Sequence, residues 1–319
     1  MPQQSLHGSI LINSVVLNYQ NVFSKIMRRR ALSTTAKVFD ASLKARQREW
    51  AISIKDSTDY DYLRREVAER LVDKLDDIVR DFPNALDIGC HRGFIFDSMT
   101  EKNEFVETDG RPVGGITHLK QADTAGFRTL IESKSNSNSF QVESTFQELA
   151  EVKDIYQLKS QDYDIVMSNL WLHWVNDIPG FLKGVREKLK PDGAFLCSAF
   201  GGSTLEEFRY SFYLAELERK GGVAPHVSPL LRPSDAAALL QQAHFALPTV
   251  DVDTITVSYA NAAVLMEHLV AMGEGSAAHN RQYSVGKDSF LAMAAIYQGR
   301  SMCLMKDMHL QMTIIFSLH

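Results

Sequence analysis

The sequence predicts an α/β fold: a doubly wound, mostly parallel sheet. Three observations predict it. A strand, helix, turn and strand follow one another in that order, such a unit occurs twice, and the first unit has a glycine turn directly after a buried strand. A strand that feeds a helix and returns as a parallel neighbour needs a right-handed crossover, so two such units imply one parallel sheet covered by helices.

The chain begins with a basic stretch. From Met1 to Phe39 there is no Asp or Glu, while Lys25, Arg28, Arg29, Arg30 and Lys37 are positive. Basic, Ser/Thr-rich and acid-free is the pattern of a mitochondrial transit peptide, and we assign residues 1–37 to one; a plain basic tail is the alternative. Met27 offers a second start, which would leave 1–26 as an upstream extension. The folded part then begins at "FDASLKARQREWA". In "DYLRREVAERLVDKLDDIV", Leu63, Val67, Leu71, Leu75 and Val79 recur at helical spacing. Pro83 ends that helix, "NALDIG" reads as a buried strand, "GFIFDSMTE" as a helix, and "EFVETDG" as a second strand ending at Asp109. From Ile116 to Gln161 the pattern is poor, and "ESKSNSNSFQVES" reads as a surface loop or insertion.

Pattern returns with the strand "YDIVMSN", the helix "DIPGFLKGVREKL", the turn "KPDG" and the strand "AFLCSAFGG". Ser203 and Glu206 would form a capping box for "STLEEFRYSFYLAELERKGG", and Ser234 would cap the next helix. "PTVDVDTITVSY" alternates as a strand or hairpin, and "NAAVLMEHLVAMGEG" is a last clear helix. We expect one domain over 38–298, with a helical cap, and a divergent tail over 299–319.

The totals limit function. A net charge of −5 gives no reason to expect nucleic acid as a partner. Cys90, Cys197 and Cys303 are odd in number and far apart, which fits a reducing interior rather than a disulfide framework. No apolar run approaches the roughly 20 residues that span a bilayer, so membrane contact would be peripheral at most. No nucleophile has a paired base, and no spacing suggests iron or zinc ligands, so no metal site is expected.

The chemistry concentrates in two places. In Asp87-Ile88-Gly89-Cys90-His91-Arg92-Gly93 the glycines let the backbone approach a ligand, and the following helix offers free N–H groups. A pyrophosphate fingerprint would be G-x-G-x-x-G. This loop differs, and its leading acid suits a cofactor with a charged amino-acid end: S-adenosylmethionine. We expect Asp87, Gly89, Cys90 and Gly93 to hold it, with Asp109 accepting the ribose hydroxyls. The alternatives are a loop-tying carboxylate at Asp87 and an exposed turn acid at Asp109. The second place is "SNLWLHWVNDIP", where Ser168 and Asn169 would face the cofactor. His173 is the candidate general base, or a histidine packed in an aromatic cluster with Trp171 and Trp174. His226 and His279 lie in loops that could roof a substrate.

"VFDASLKARQREWA", "ALDIGCHRG", "SNLWLHWVNDIPGFLKGVREKLKPDG", "FGGSTLEEFRYSFYLAELERKGGVAPHVSP" and "MEHLVAMGEG" together resemble the mitochondrial complex I assembly factor 5 family, called arginine hydroxylases. Its distant kin are the bacterial malonyl-carrier-protein methyltransferases. The resemblance covers about residues 38–298 and is weakest between Gly110 and Ser160. It implies a Rossmann-like class I methyltransferase fold at the matrix face of the inner membrane. It also implies assembly of complex I by hydroxylating an arginine of an iron–sulfur subunit. By the methyltransferase pattern, Asp87, Gly89 and Gly93 match the cofactor loop, Asp109 the ribose acid, and Ser168 and Asn169 follow the fourth strand. True methyl transfer to a small or carrier-bound substrate is one alternative. A non-catalytic assembly chaperone is the other.

Two departures stand out. His91 replaces a glycine, and the family's last strand gives way to "GRSMCLMKDMHLQMTIIFSLH". "MTIIFSL" is β-branched enough to substitute for that strand. A splice-variant or misread tail is the other reading, and trimming from Gly299 onward is expected to change stability little.

Overall fold

The structure is a computed structural model that describes residues 37–105, 112–137, 142–149, 151–282, 284–301 and 307–318. Phe39 onward forms one compact unit. Its first half runs α1 (Ala41–Ser53), α2 (Tyr62–Asp76), β1 (Asn84–Ile88), α3 (Phe94–Phe105), β2 (His118–Asp123), α4 (Arg128–Ser137) and β3 (Glu143–Glu148). Then come β4 (Tyr163–Ser168), α5 (Ile178–Lys188), β5 (Leu189–Phe200), α6 (Glu206–Lys220), α7 (Pro233–Gln242), β6 (Ala246–Ser258), α8 (Ala262–Ala271), α9 (Lys287–Ser301) and β7 (Asp307–Leu318). The sheet order is β3-β2-β1-β4-β5-β7-β6, parallel from β3 through β5 and antiparallel at β7. The expected doubly wound, mostly parallel sheet is therefore present.

β1 lies between β2 and β4, so both its edges are paired, and with helices over both faces of the sheet Ala85 through Ile88 are all buried. Helices pack on both sides. One core joins Leu63, Leu71, Leu75, Ile95 and Met99; the other joins Phe181, Val185, Phe195 and Leu240. The stripe read in α2 faces the first of these, with one exception. Val79 is 91 % exposed, because the helix ends at Asp76 and the residue leaves the apolar face.

The second strand is not where the sequence placed it. α3 continues through Phe105, and β2 is His118–Asp123. Asp109 lies outside the described residues. β2 escapes a periodicity reading because polar Gln121 and Asp123 are buried with Leu119 and Ala122. Gln121 is accommodated by donating from Nε2 to Ser144 Oγ on β3, at 2.8 Å. The poorly patterned stretch from Ile116 to Gln161 carries β2, α4, β3 and a 3₁₀ turn at Val152–Gln157, and the run read as a surface loop or insertion is helical through Ser137 and strand from Glu143, with 138–141 outside the described residues.

Two caps also differ. α6 begins at Glu206 with Leu205 at its cap position at φ +59°, so Ser203 stands outside the helix. α7 has Pro233 in its first turn, where its missing N–H costs nothing, and Ser234 is already inside. The tail departs from the expectation that it could be trimmed with little effect, because it enters the sheet. β7 slots between β5 and β6, and Thr313, Ile314, Ile315 and Ser317 are buried. The strand substitution is the reading the structure adopts. β6 is left as the edge, and its Asp251 and Asp253 pair with Lys74 and Arg70 of α2. Charge on an edge strand discourages pairing with another chain.

Candidate cofactor turn and adjoining pocket

β1 delivers the chain to a turn in which Gly89, His91 and Gly93 all have positive φ, at +74°, +55° and +80°. The turn is tied down by Gly89 N–H donating to Ala122 O and Gly93 N–H donating to Cys90 O, both at 2.8 Å. Glycine is required at both ends. A Cβ on Gly89 would lie 2.3 Å from the Trp171 indole, and one on Gly93 would lie 2.7 Å from Gln121 Oε1. His91 has no such exemption: the left-handed region costs a non-glycine residue about 1 kcal/mol.

The carboxylates behave differently from one another. Asp87 is fully buried, and neither of its oxygens has a hydrogen-bond partner among the described residues. Burial pushes its carboxyl pKa well above the usual range, and the neighbouring negative charge of Asp123 adds to this. Asp123, at the end of β2, is heavily engaged. Arg48 of α1 donates to both its oxygens at 2.8 and 2.6 Å, and the N–H groups of His91 and Thr124 donate to it at 2.8 Å. The acid beside the turn at the end of the second strand is therefore Asp123.

His91 is 2 % exposed. Its ring sits 5.6 Å from Phe94 and 4.7 Å from Phe127, and neither ring nitrogen has a partner among the described residues. Burial holds it neutral, with its pKa well below the usual value, and the Arg64, Arg48, Arg92 and Lys134 cations act in the same direction. Cys90 is likewise buried, with its thiol pKa pushed up by burial, so it is a packed thiol and not a thiolate.

Ser168 closes β4 and Asn169 follows it, and both act as ties. Ser168 Oγ donates to Ile88 O at 2.8 Å. Asn169 donates to Arg64 O at 2.8 Å and accepts from Ser198 Oγ at 3.1 Å. They fix the β4 end against β1, β5 and α2. His173 is also fully used: Nε2 faces Glu274 at 3.4 Å, and Nδ1 accepts the Phe200 N–H at 3.5 Å. With both nitrogens occupied and the side chain 0 % exposed, the geometry leaves no lone pair for general-base work and makes His173 a positioning residue. His226 pairs with Glu216 at 2.8 Å and stacks on Phe212, which ties the loop after α6 to that helix. His279 is exposed.

The sequence reading missed four charged residues that the fold buries. Arg64 forms an ion pair with Glu274, whose other oxygen accepts from Trp174 Nε1 at 2.8 Å. Burial alone raises the Glu274 pKa, yet Arg64 and His173 hold it far below the usual carboxylate range. Lys44 donates to Gly273 O at 2.9 Å and Gly275 O at 2.7 Å, with its ammonium 3.3 Å from the Trp174 ring centre. Burial brings its pKa down to about 7. Arg48 completes the set. The signal was available in α1, where Lys44, Arg48 and Ala51 at i, i+4 and i+7 are the buried positions of a mostly polar helix. Beside this cluster is a small, mostly apolar hollow, part of it open to solvent, bounded by Leu63, Phe200, Leu230, Tyr259, Met272 and Glu274.

With this geometry in hand, the comparisons with known proteins are direct. A methyltransferase-domain family model matches residues 60–250. The chain is 41% identical over 261 residues to the mitochondrial arginine-hydroxylase NDUFAF5 of Danio rerio, covering 82% of this chain and 75% of that protein. Against the Homo sapiens protein of the same name it is 39% identical over 283 residues, covering 88% and 76%. It is 30% identical to a malonyl-[acyl-carrier protein] O-methyltransferase of Xylella fastidiosa, covering 74% of each chain. The crystal structure of YcgJ from Bacillus subtilis superposes with a TM-score of 0.51 at 12% identity, covering 79% of this chain and 97% of that one, which speaks for the fold alone. The glycine turn, the sheet around it and these identities lead to one conclusion: the chain belongs to the methyltransferase-domain family, and within it to the mitochondrial arginine-hydroxylase NDUFAF5 group.

Proposed function

We propose that this chain binds S-adenosylmethionine at the Gly89–Gly93 turn and serves mitochondrial complex I assembly by hydroxylating an arginine of an iron–sulfur subunit, peripherally at the matrix face of the inner membrane. The observation that carries this reading is the identity of about two residues in five, over most of the chain, to proteins named arginine hydroxylases.

The residues present fit the cofactor. Asp87 is a buried carboxylate without a partner, and a cationic ligand relieves such a group. Gly89 and Gly93 hold the turn at positive φ with no Cβ atoms of their own, and α3 presents its N-terminal N–H groups just beyond. Asp123 takes the ribose role expected of Asp109, which lies outside the described residues. When bound, the cofactor supplies an electrophilic sulfonium. The chain's own contribution is binding and alignment. Ser168 holds the β4 end against β1, Asn169 ties it to α2, and His173 braces Glu274, which lines the pocket. The apolar pocket suits the methylene stem of a long side chain. Holding two reactants in register is a large part of what such an enzyme supplies.

The identity to a carrier-protein O-methyltransferase favours methyl transfer as the second reading. Intact-mass measurement of the co-expressed iron–sulfur client separates them. A gain of one oxygen supports hydroxylation, and a gain of one methylene replaces it with methyl transfer. An unchanged mass beside restored assembly would leave a chaperone and overturn both catalytic readings.

A further inference from the structure

We propose that this chain's cofactor turn is stoppered by its own side chains: the His91 imidazole fills ligand space, and Arg48 occupies the ribose-binding carboxylate of Asp123. An adenosyl ligand seats only after His91 swings out and Arg48 releases Asp123. The inference rests on the reading of the Gly89–Gly93 turn as an adenosyl site.

Comparison among the buried histidines carries the argument. A histidine built into a core satisfies its ring nitrogens, as His173 does with Glu274 and the Phe200 N–H. His91 satisfies neither nitrogen, although it is buried as deeply. It also holds a left-handed backbone at φ +55° that a side chain disfavours. The ring is held only by the faces of Phe94, at the start of α3, and Phe127, just past β2. The His91 N–H donates to Asp123 at 2.8 Å, so the imidazole stands beside that carboxylate, between the start of α3 and the end of β2. The unpartnered oxygens of Asp87 belong to β1, four residues before His91, and His91 does not pair with them. Unpaired polar groups at the end of β1 and in the turn that follows it mark a site whose partner the described residues do not supply.

Arg48 closes the same space from the other side. Its guanidinium grips both oxygens of Asp123, and α1 is further anchored by Lys44 on the Gly273 and Gly275 carbonyls. Ligand hydroxyls would compete with Arg48 for one carboxylate. A binding-competent form populated only in part lowers apparent affinity by that fraction. Removing the stopper raises it.

The test is calorimetric titration of the full chain with S-adenosylhomocysteine, comparing wild type with His91→Gly and His91→Asn. Glycine removes both the ring and the strain; asparagine keeps a residue tolerant of the left-handed region while shortening the side chain. Glycine is expected to tighten binding roughly ten-fold or more, with asparagine between, and the ligand-induced rise in melting temperature should follow the same order. Equal affinity in all three overturns the stopper and leaves the adenosyl site standing, and weaker binding by the variants makes His91 a ligand contact and also overturns it. No binding by any of them, while each melts cooperatively, overturns the site and the stopper together. Should the glycine variant fail to fold, the asparagine variant decides.

Discussion

Three donors converge on Glu274, and they come from different parts of the chain: Arg64 from α2, and His173 and Trp174 from the segment after β4. Glu274→Gln would leave Arg64 charged and buried without its counter-ion, a loss of roughly 3–5 kcal/mol. Urea unfolding should show it as a lower midpoint with an unchanged slope. Lys44 makes a prediction of the opposite kind. Its pKa near 7 in the folded chain lies below the ordinary value of 10.5. Between those two values the unfolded chain holds a proton that the folded chain has lost, so this group's contribution to stability rises with pH across that window. Below about 7 both forms are protonated, and the penalty of the buried charge is constant. Lys44→Met should therefore flatten the rise of melting temperature above neutral pH; an unaltered slope would refute the assignment. At this scale the sequence was legible where a residue type has one use. Gly89 and Gly93 stood out because a turn after a strand demands them, and Asp87 because it leads that turn. Arg48, Arg64 and Glu274 were hidden, because a charged residue on a helix reads as solvated until a partner distant in sequence is known.

Among elements, β7 is the clearest case. It pairs with β5 on one side and β6 on the other, and it buries Ile314 and Ile315. Each such side chain contributes about 1.5–3 kcal/mol by burial, against a total stability of about 5–15 kcal/mol for a typical domain. A chain ending at Ser301 loses both ladders and this burial together. It is expected to show no cooperative unfolding transition by circular dichroism, and a cooperative melt near that of the intact chain would show that the sheet closes without β7. β1, β4 and α5 were legible because their periodicity is strong and their ends are marked by Pro83, Gly89 and Asp177. β2 was not, because its inward positions include Gln121 and Asp123, which are buried through hydrogen bonds and an ion pair that no local pattern announces. β3 shares that difficulty: Ser144 is buried as the partner of Gln121.

For the molecule as a whole, the order of strands also sets an order of events. β6 precedes β7 in the chain but lies beyond it in the sheet, so β5 and β6 wait with an empty lane between them until β7 arrives. A folding chain must hold two unsatisfied ladders open until residues 307–318 are free to enter, a state exposed to mispairing. Insertion of β7, rather than collapse of the glycine-turn half, is then the step that completes the sheet.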